Sequence, residues 1–206
     1  MADLRTVEKI EYGAASAVRV VLNPDIYAEL SKRFIAFDTE TTGLDPENDR
    51  IVELGAVMFE NGASTSSYQS YVNSGIRIPP EVSSFNHITD EVLHVAPTEK
   101  DIYPELLKFL GDASAGKTMI CGHVAAFDLS FLCRALDRLG IEANFRFVDT
   151  RQFSVHISEL EHHSLAAVAE YLDIPHENAH HAKDDALTSG RILAKMLERH
   201  EGYQII

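Results

Sequence analysis

The sequence predicts an α/β fold: a mixed sheet of about five strands, an antiparallel meander followed by parallel strands, covered by helices. Three observations carry this expectation. Apolar strand-like runs cluster between residues 34 and 72, and after residue 100 strand-like and helix-like segments alternate. No tract rich in Pro, Gly or Ser divides the chain. At 206 residues and 45% apolar content, one well-cored domain is expected over residues 34–200. An N-terminal extension, 1–33, whose structure the pattern does not specify, precedes it, and a short tail, 201–206, follows.

In chain order, Val18 to Leu22 reads as a short strand, and Pro24 through Arg33 as a turn and brief helix. Phe34-Ile35-Ala36-Phe37 is a compact apolar run expected as a central strand ending in Asp38. Ile51 to Phe59 is the next strand, Asn61-Gly62 a hairpin turn, and Ser66 to Val72 a more exposed returning strand. Ile102, Leu106, Phe109 and Leu110 share a helical face. Met119 to Cys121 and Phe145 to Val148 are short buried strands; Leu129 to Leu139, Leu165 to Leu172 and Ala186 to Leu197 are helices, connected by right-handed crossovers.

Composition narrows the function. Eighteen Lys+Arg against 32 Asp+Glu give a net charge of −14, which argues against a long basic groove gripping duplex nucleic acid through counterion release. It leaves room for an enzyme that holds one strand end through metal ions. Two cysteines, Cys121 and Cys133, exclude a disulfide scaffold or a multi-cysteine zinc module. Residues 1–13 lack a basic stretch followed by an apolar run, and runs such as AVRVVL and FIAF are too short to span a membrane. A cytoplasmic chain with no membrane partner is expected.

The sharpest feature is Asp38-Thr39-Glu40. A period of two puts both carboxylates on one side of a strand and Thr39 on the other. Like charges crowded at a buried strand end raise each other's pKa, a conflict that a divalent cation removes. Asp128 follows a glycine turn and falls in the first turn of a helix starting near Ala125. Asp184 and Asp185 open the last amphipathic helix, with His180 five residues before Asp185. Each has a plainer reading, as a solvated strand end or a first-turn acid. Together they can meet at one edge of an α/β sheet, where such folds form clefts. Hard oxygen ligands there favour Mg²⁺ or Mn²⁺, two ions about 4 Å apart.

Phe37-Asp38-Thr39-Glu40-Thr41-Thr42-Gly43-Leu44 with Ile51-Val52-Glu53-Leu54-Gly55-Ala56-Val57, then His123 to Leu132, then His180-His181-Ala182-Lys183-Asp184-Asp185-Ala186, together resemble the motifs of the DEDDh family of 3′→5′ exonucleases, the proofreading-subunit-like group with a ribonuclease-H-like fold. The likeness runs from about residue 34 to 197. It implies that Asp38, Glu40, Asp128 and Asp185 are the metal carboxylates and His180 the general base, since the His-x-Ala-x-x-Asp spacing selects His180 over His181 and Asp185 over Asp184. It also implies that the backbone of Thr41 and the side chain of Leu44 contact the terminal nucleotide, Leu44 as a wedge against the base. His87 is a candidate substrate contact, with a bond to neighbouring backbone as its alternative reading.

The chain departs from the family pattern twice. Val124 stands where His-Asn-Ala is usual, and Phe85-Asn86-His87-Ile88-Thr89 replaces the common Ile-His-Gly-Ile-Thr. Neither change removes a ligand or the base. The implied reaction is two-metal hydrolysis of the terminal phosphodiester, releasing nucleoside 5′-monophosphates, with His180 accepting the proton of the attacking water. Single-stranded or frayed DNA 3′ ends are the expected substrate, RNA or short oligonucleotides the alternative, and a polymerase or repair protein a partner. Arg146, Arg151, Lys183 and Arg191 are candidates for a local positive rim.

Two rival readings belong to other classes. His176-Glu177-Asn178-Ala179-His180 matches the H-E-x-x-H zinc-hydrolase motif, but Pro175 and the lack of an apolar side over 177–181 argue against the helix it requires. A catalytically silent nucleic-acid-binding or polymerase-associated module is the other, against which the intact acids and His180 argue.

Overall fold

The computed structural model describes residues 8–157 and 159–199; residues 1–7 of the expected extension and the expected tail, 201–206, lie outside the described residues. Among the described residues seven strands form one mixed sheet in the order β1-β2-β7-β6-β3-β4-β5. At its centre β3 (Arg33–Thr41) pairs antiparallel with β4 (Ile51–Glu60) and parallel with β6 (Met119–Gly122). β4 continues into β5 (Ala63–Tyr71) through Asn61-Gly62, both at positive φ (51° and 80°), the two-residue geometry whose twist matches that of the strands. β7 (Ala143–Asp149) runs parallel to β6.

The sheet is larger than expected. Two further strands, β1 (Lys9–Glu11) and β2 (Ala15–Arg19), form a hairpin whose second strand runs parallel to β7. The strand anticipated at Val18 to Leu22 therefore lies a few residues earlier. Its pairing is decided by the C-terminal half of α5 (Ala125–Arg138), where Asp137 accepts from the Ala14 amide at 2.8 Å and Arg134 lies 5.5 Å from the Tyr12 ring centre. Partners that far away in sequence leave no local signal.

Alternation along β3 sorts the core into two layers. Ile35 and Phe37 face one side, with Tyr103 and Leu106 of α4 (Glu99–Leu110) and Leu129 and Leu132 of α5. Phe34 and Ala36 face the other, with Ala186 and Leu193 of α8 (Ala182–Arg199) and Leu30 of α1 (Pro24–Lys32). Phe34 and Phe59, directly opposite in the β3–β4 register, stack with centroids 4.9 Å apart.

Helix α8 lies unusually close to β4. A Cβ on Gly55 would sit 2.2 Å from the Lys183 amide nitrogen, and one on Gly190 would sit 2.2 Å from the Phe59 ring. These two glycines let the helix backbone rest on the sheet, fixing where its first turn, with Asp184 and Asp185, meets the end of β3. The remaining helices are short: α2 (Pro80–Asn86), α3 (Asp90–His94), α6 (Thr150–Ser154) and α7 (Leu165–Tyr171). Among the described residues no helix is long and apolar enough to cross a membrane.

Candidate active site

The same alternation that sorts the core builds the site. Asp38 and Glu40 continue the face of Phe34 and Ala36, toward the start of α8; Thr39 continues the face of Ile35 and Phe37, toward α5. β6 pairs with β3 only as far as Ala36, opposite Cys121; Gly122 still pairs with Asp149 of β7 before the chain turns into α5. Past that point the Asp128 carboxylate takes over as partner. Its Oδ1 accepts from the Thr39 amide at 2.9 Å and from the Thr39 hydroxyl at 2.7 Å. Asp128 is thus more than a first-turn acid, because it replaces a missing strand neighbour.

Glu40 and Asp185 are each held by a neighbour. Asn86, at the end of α2, donates to Glu40 Oε2 at 3.3 Å and fixes its own turn by accepting from the Ile88 amide. Asp185 accepts from the His176 ring (Nε2 to Oδ1, 2.7 Å) and from the His180 amide (to Oδ2, 3.1 Å). Glu40, His180 and Asp185 offer ligand atoms that all lie within 4.8 Å of one another. Burial and mutual repulsion raise Asp38, Glu40 and Asp128. Asp38 keeps a solvent-facing edge, yet it stands well above the usual carboxylate range, first from burial and then from the charges of Asp128, Asp185, Glu40 and Glu53. Burial pushes Glu40 up to about 7 against the downward pull of the Asn86 hydrogen bond, and Asp128 up to about 7 against the pull of Thr39. Negative charge concentrated this way, in a set of hard oxygen donors with one imidazole, fits a divalent cation such as Mg²⁺ or Mn²⁺.

A further buried acid braces the site from the neighbouring strand. Glu53, fully buried on β4 directly opposite Glu40, accepts from Gln69 at 2.6 Å and from the Ala182 amide at 3.4 Å, and its Oε2 is 3.9 Å from His181 Nδ1. It ties the start of α8 to the sheet beside the carboxylates.

The expected substrate contacts lie at the end of β3, on the loop that follows it, and at the end of α2. Thr41 follows a register shift in the β3–β4 ladder, and its hydroxyl donates to the Gly43 carbonyl at 2.6 Å. Leu44, 84% exposed, projects from a loop braced by Asp49, which accepts from the Thr42 hydroxyl and the Asp45 amide. His87 is exposed at the end of α2 with φ of 60°, at the position where glycine is usual in the family pattern. Phe85, 64% exposed, lies against His180 with ring centroids 4.1 Å apart.

The other departure also has a backbone explanation. Val124 sits at φ 68°, ψ 38°, left-handed backbone that asparagine tolerates and a β-branched residue does not. The amide of Val124 donates to Asp149, which also accepts from the Arg151 amide, so Asp149 is a capping residue. His123 bridges Thr150 and the His163 carbonyl, a structural role. Of the candidate cationic rim, Arg146 is bound on both guanidinium nitrogens by Glu29 at 3.1 Å. The H-E-x-x-H reading fails because residues 176–180 are a loop with left-handed Asn178 and His180, so the two histidines share no helical face. Thr39, Asn86 and His176 were not legible as site residues. Each is an ordinary polar side chain whose partner is remote in sequence or across a turn, and only the position of Thr39 between two acids hinted at a role.

Comparison with known proteins agrees with this geometry. The exonuclease family model RNase_T matches residues 35–193. A DNA polymerase III PolC-type from Caldanaerobacter subterraneus subsp. tengcongensis is 31% identical over 173 residues, covering 84% of this chain but 12% of that one, so the chain spans only about an eighth of that relative. Among solved structures, E. coli exonuclease I in complex with a dT13 oligonucleotide superimposes with a TM-score of 0.69 at 17% identity, over 82% of this chain and 42% of that one. The nuclease domain of 3′hExo, a DEDDh family member bound to rAMP, gives a TM-score of 0.70 at 18% identity over 85% and 96%. At such identities these two likenesses speak for the fold alone. The matched family model, together with the order and spacing of the carboxylate motifs, shows that the chain belongs to the DEDDh-type exonuclease family.

Proposed function

We propose that this chain is a divalent-metal-dependent 3′→5′ exonuclease that removes nucleoside 5′-monophosphates from single-stranded or frayed DNA ends. The observation that carries the reading is the meeting of acids from β3, α5 and α8 beside His180, those on β3 and α5 raised by burial and by their neighbours' charges. Asp38, Glu40, Asp128 and Asp185 would hold two Mg²⁺ or Mn²⁺ ions. Bound there, the ions would supply Lewis acidity and positive charge to the terminal phosphodiester. His180 accepts the proton of the attacking water, while Thr39 and Asn86 keep Asp128 and Glu40 aimed. The Thr41 backbone and the Leu44 side chain orient the last nucleotide, Leu44 as a wedge against its base, with His87 a further contact.

The PolC-type relative supports DNA as the polymer and a setting beside a polymerase or repair partner. A net charge of −14 opposes long-range capture of a polyanion, which suits an enzyme that engages a strand end over one that tracks a duplex. The test is product analysis on end-labelled single-stranded DNA and RNA of one sequence, blocked at either end, with Mg²⁺ and with Mn²⁺. Mononucleotides released only from free 3′ ends, faster from DNA, support the reading. Faster release from RNA reassigns the substrate, and binding without cleavage indicates a silent module.

A further inference from the structure

We propose that His176 is a positioning residue for the metal site, clamping Asp185 in the orientation that receives a divalent cation; this rests on the function proposed above. The histidine sits in the loop between α7 and α8, and it is the member of the H-E-x-x-H match that the exonuclease reading leaves without a role. Its Nε2 lies 2.7 Å from Asp185 Oδ1, and both side chains are largely buried. The second oxygen, Oδ2, accepts from the His180 amide at 3.1 Å. One fixed N–H on each oxygen sets the plane of the carboxylate and leaves each oxygen a further lone pair for a cation.

The loop has the geometry of a strap. Asp173, Asn178 and His180 all adopt positive φ (56°, 50° and 68°), which folds the segment back onto the first turn of α8. Asn178 donates to Asp184 at 3.3 Å, so the two first-turn acids are each held from the loop by a side chain. The pattern repeats around the site: Thr39 fixes Asp128, Asn86 fixes Glu40, and His176 fixes Asp185. A carboxylate oxygen only accepts, so in this pair the imidazole is the hydrogen-bond donor through Nε2. Partners that orient ligands in this way typically contribute 10- to 100-fold to metal affinity.

The experiment measures Mn²⁺ binding to the full chain by electron paramagnetic resonance of free Mn²⁺, alongside cleavage of single-stranded DNA as a function of Mn²⁺. The variants are His176→Ala, His176→Phe, which keeps a ring but has no donor, His176→Gln, which keeps a donor, and Asp185→Asn as the reference for loss of the ligand. His176→Ala and His176→Phe are expected to weaken Mn²⁺ binding about 10- to 100-fold, and His176→Gln to recover most of the loss. The half-activating Mn²⁺ concentration should rise in the same proportion, more than the rate at saturating Mn²⁺ falls. Binding by the phenylalanine variant within twofold of wild type, or glutamine no better than phenylalanine, overturns the proposal. Failure of the underlying reading has its own signature, a wild-type chain that binds no Mn²⁺, and it overturns both.

Discussion

Replacing Asp128 by asparagine separates the charge of the site from its shape. Asp128 is 4% exposed, and its Oδ1 accepts two hydrogen bonds from Thr39, both of which an asparagine oxygen can keep. In the folded chain its carboxyl is pushed from the usual 3.8 up to about 7, mainly by burial. A raised folded pKa favours the protonated form, so the associated stability is whole below the unfolded value and is lost as pH rises through about 7. That rise corresponds to roughly 4 kcal/mol at alkaline pH, shared with the neighbouring acids, so neutralising one of them should recover roughly 2 to 4 kcal/mol. For a chain of this size the gain is about 5 to 15 °C in melting temperature. Calorimetry in EDTA at pH 8 should find Asp128→Asn more stable than wild type. At pH 5, still above the unfolded value of 3.8, the gain should shrink to less than about half, and it should vanish only below about pH 4. Mn²⁺ should reverse the order at pH 8, and cleavage should fall by about 100-fold or more. No gain at pH 8, or an equal gain at pH 5, would refute the argument that uncompensated charge strains this site.

Other outcomes follow from the same geometry. Because Glu40 and Asp128 stand at about 7, a bound cation must displace protons from them, so apparent Mn²⁺ affinity should climb between pH 6 and 8; a flat titration over that range would contradict it. Asn86→Ala removes the bond that lowers Glu40, and should move the pH for half-maximal cleavage upward. His180→Ala should slow single-turnover cleavage by about 100- to 10,000-fold at saturating Mn²⁺, and a near-normal rate would remove it as the base. Val124→Asn relieves left-handed strain and should raise thermal stability by about 1 kcal/mol or more, seen as a higher melting temperature. Gly55→Ala should cost both stability and activity, since the new Cβ meets the backbone of Lys183 and must lift the first turn of α8; an active, equally stable variant would show that the helix can yield.

What the sequence determined by itself was local or periodic. The alternation through Phe34–Phe37 placed Asp38 and Glu40 on one face of a strand, and Asn61-Gly62 fixed a hairpin, because strand period and turn chemistry are written in adjacent residues. The spacing of His180 and Asp185 likewise put a base candidate just ahead of a helix-borne acid. Tertiary structure decided the rest. Thr39 turned out to hold Asp128 because the β3–β6 pairing stops at Ala36 and Cys121, and the chain then turns into α5, which brings Asp128 beside Thr39 although the two are far apart in sequence. Residues 9–19 joined the sheet edge through contacts with α5 more than a hundred residues away, so their own pattern was too short to declare it. The closeness of α8 to β4 was invisible in Gly55 of the strand and Gly190 of the helix, which read as ordinary glycines until the two elements pack together. And His176, a zinc-motif residue in the linear text, became a hydrogen-bond partner of Asp185 once left-handed residues folded its loop back on the helix, since a side chain's partner is set by the path of the chain and not by its neighbours in the sequence.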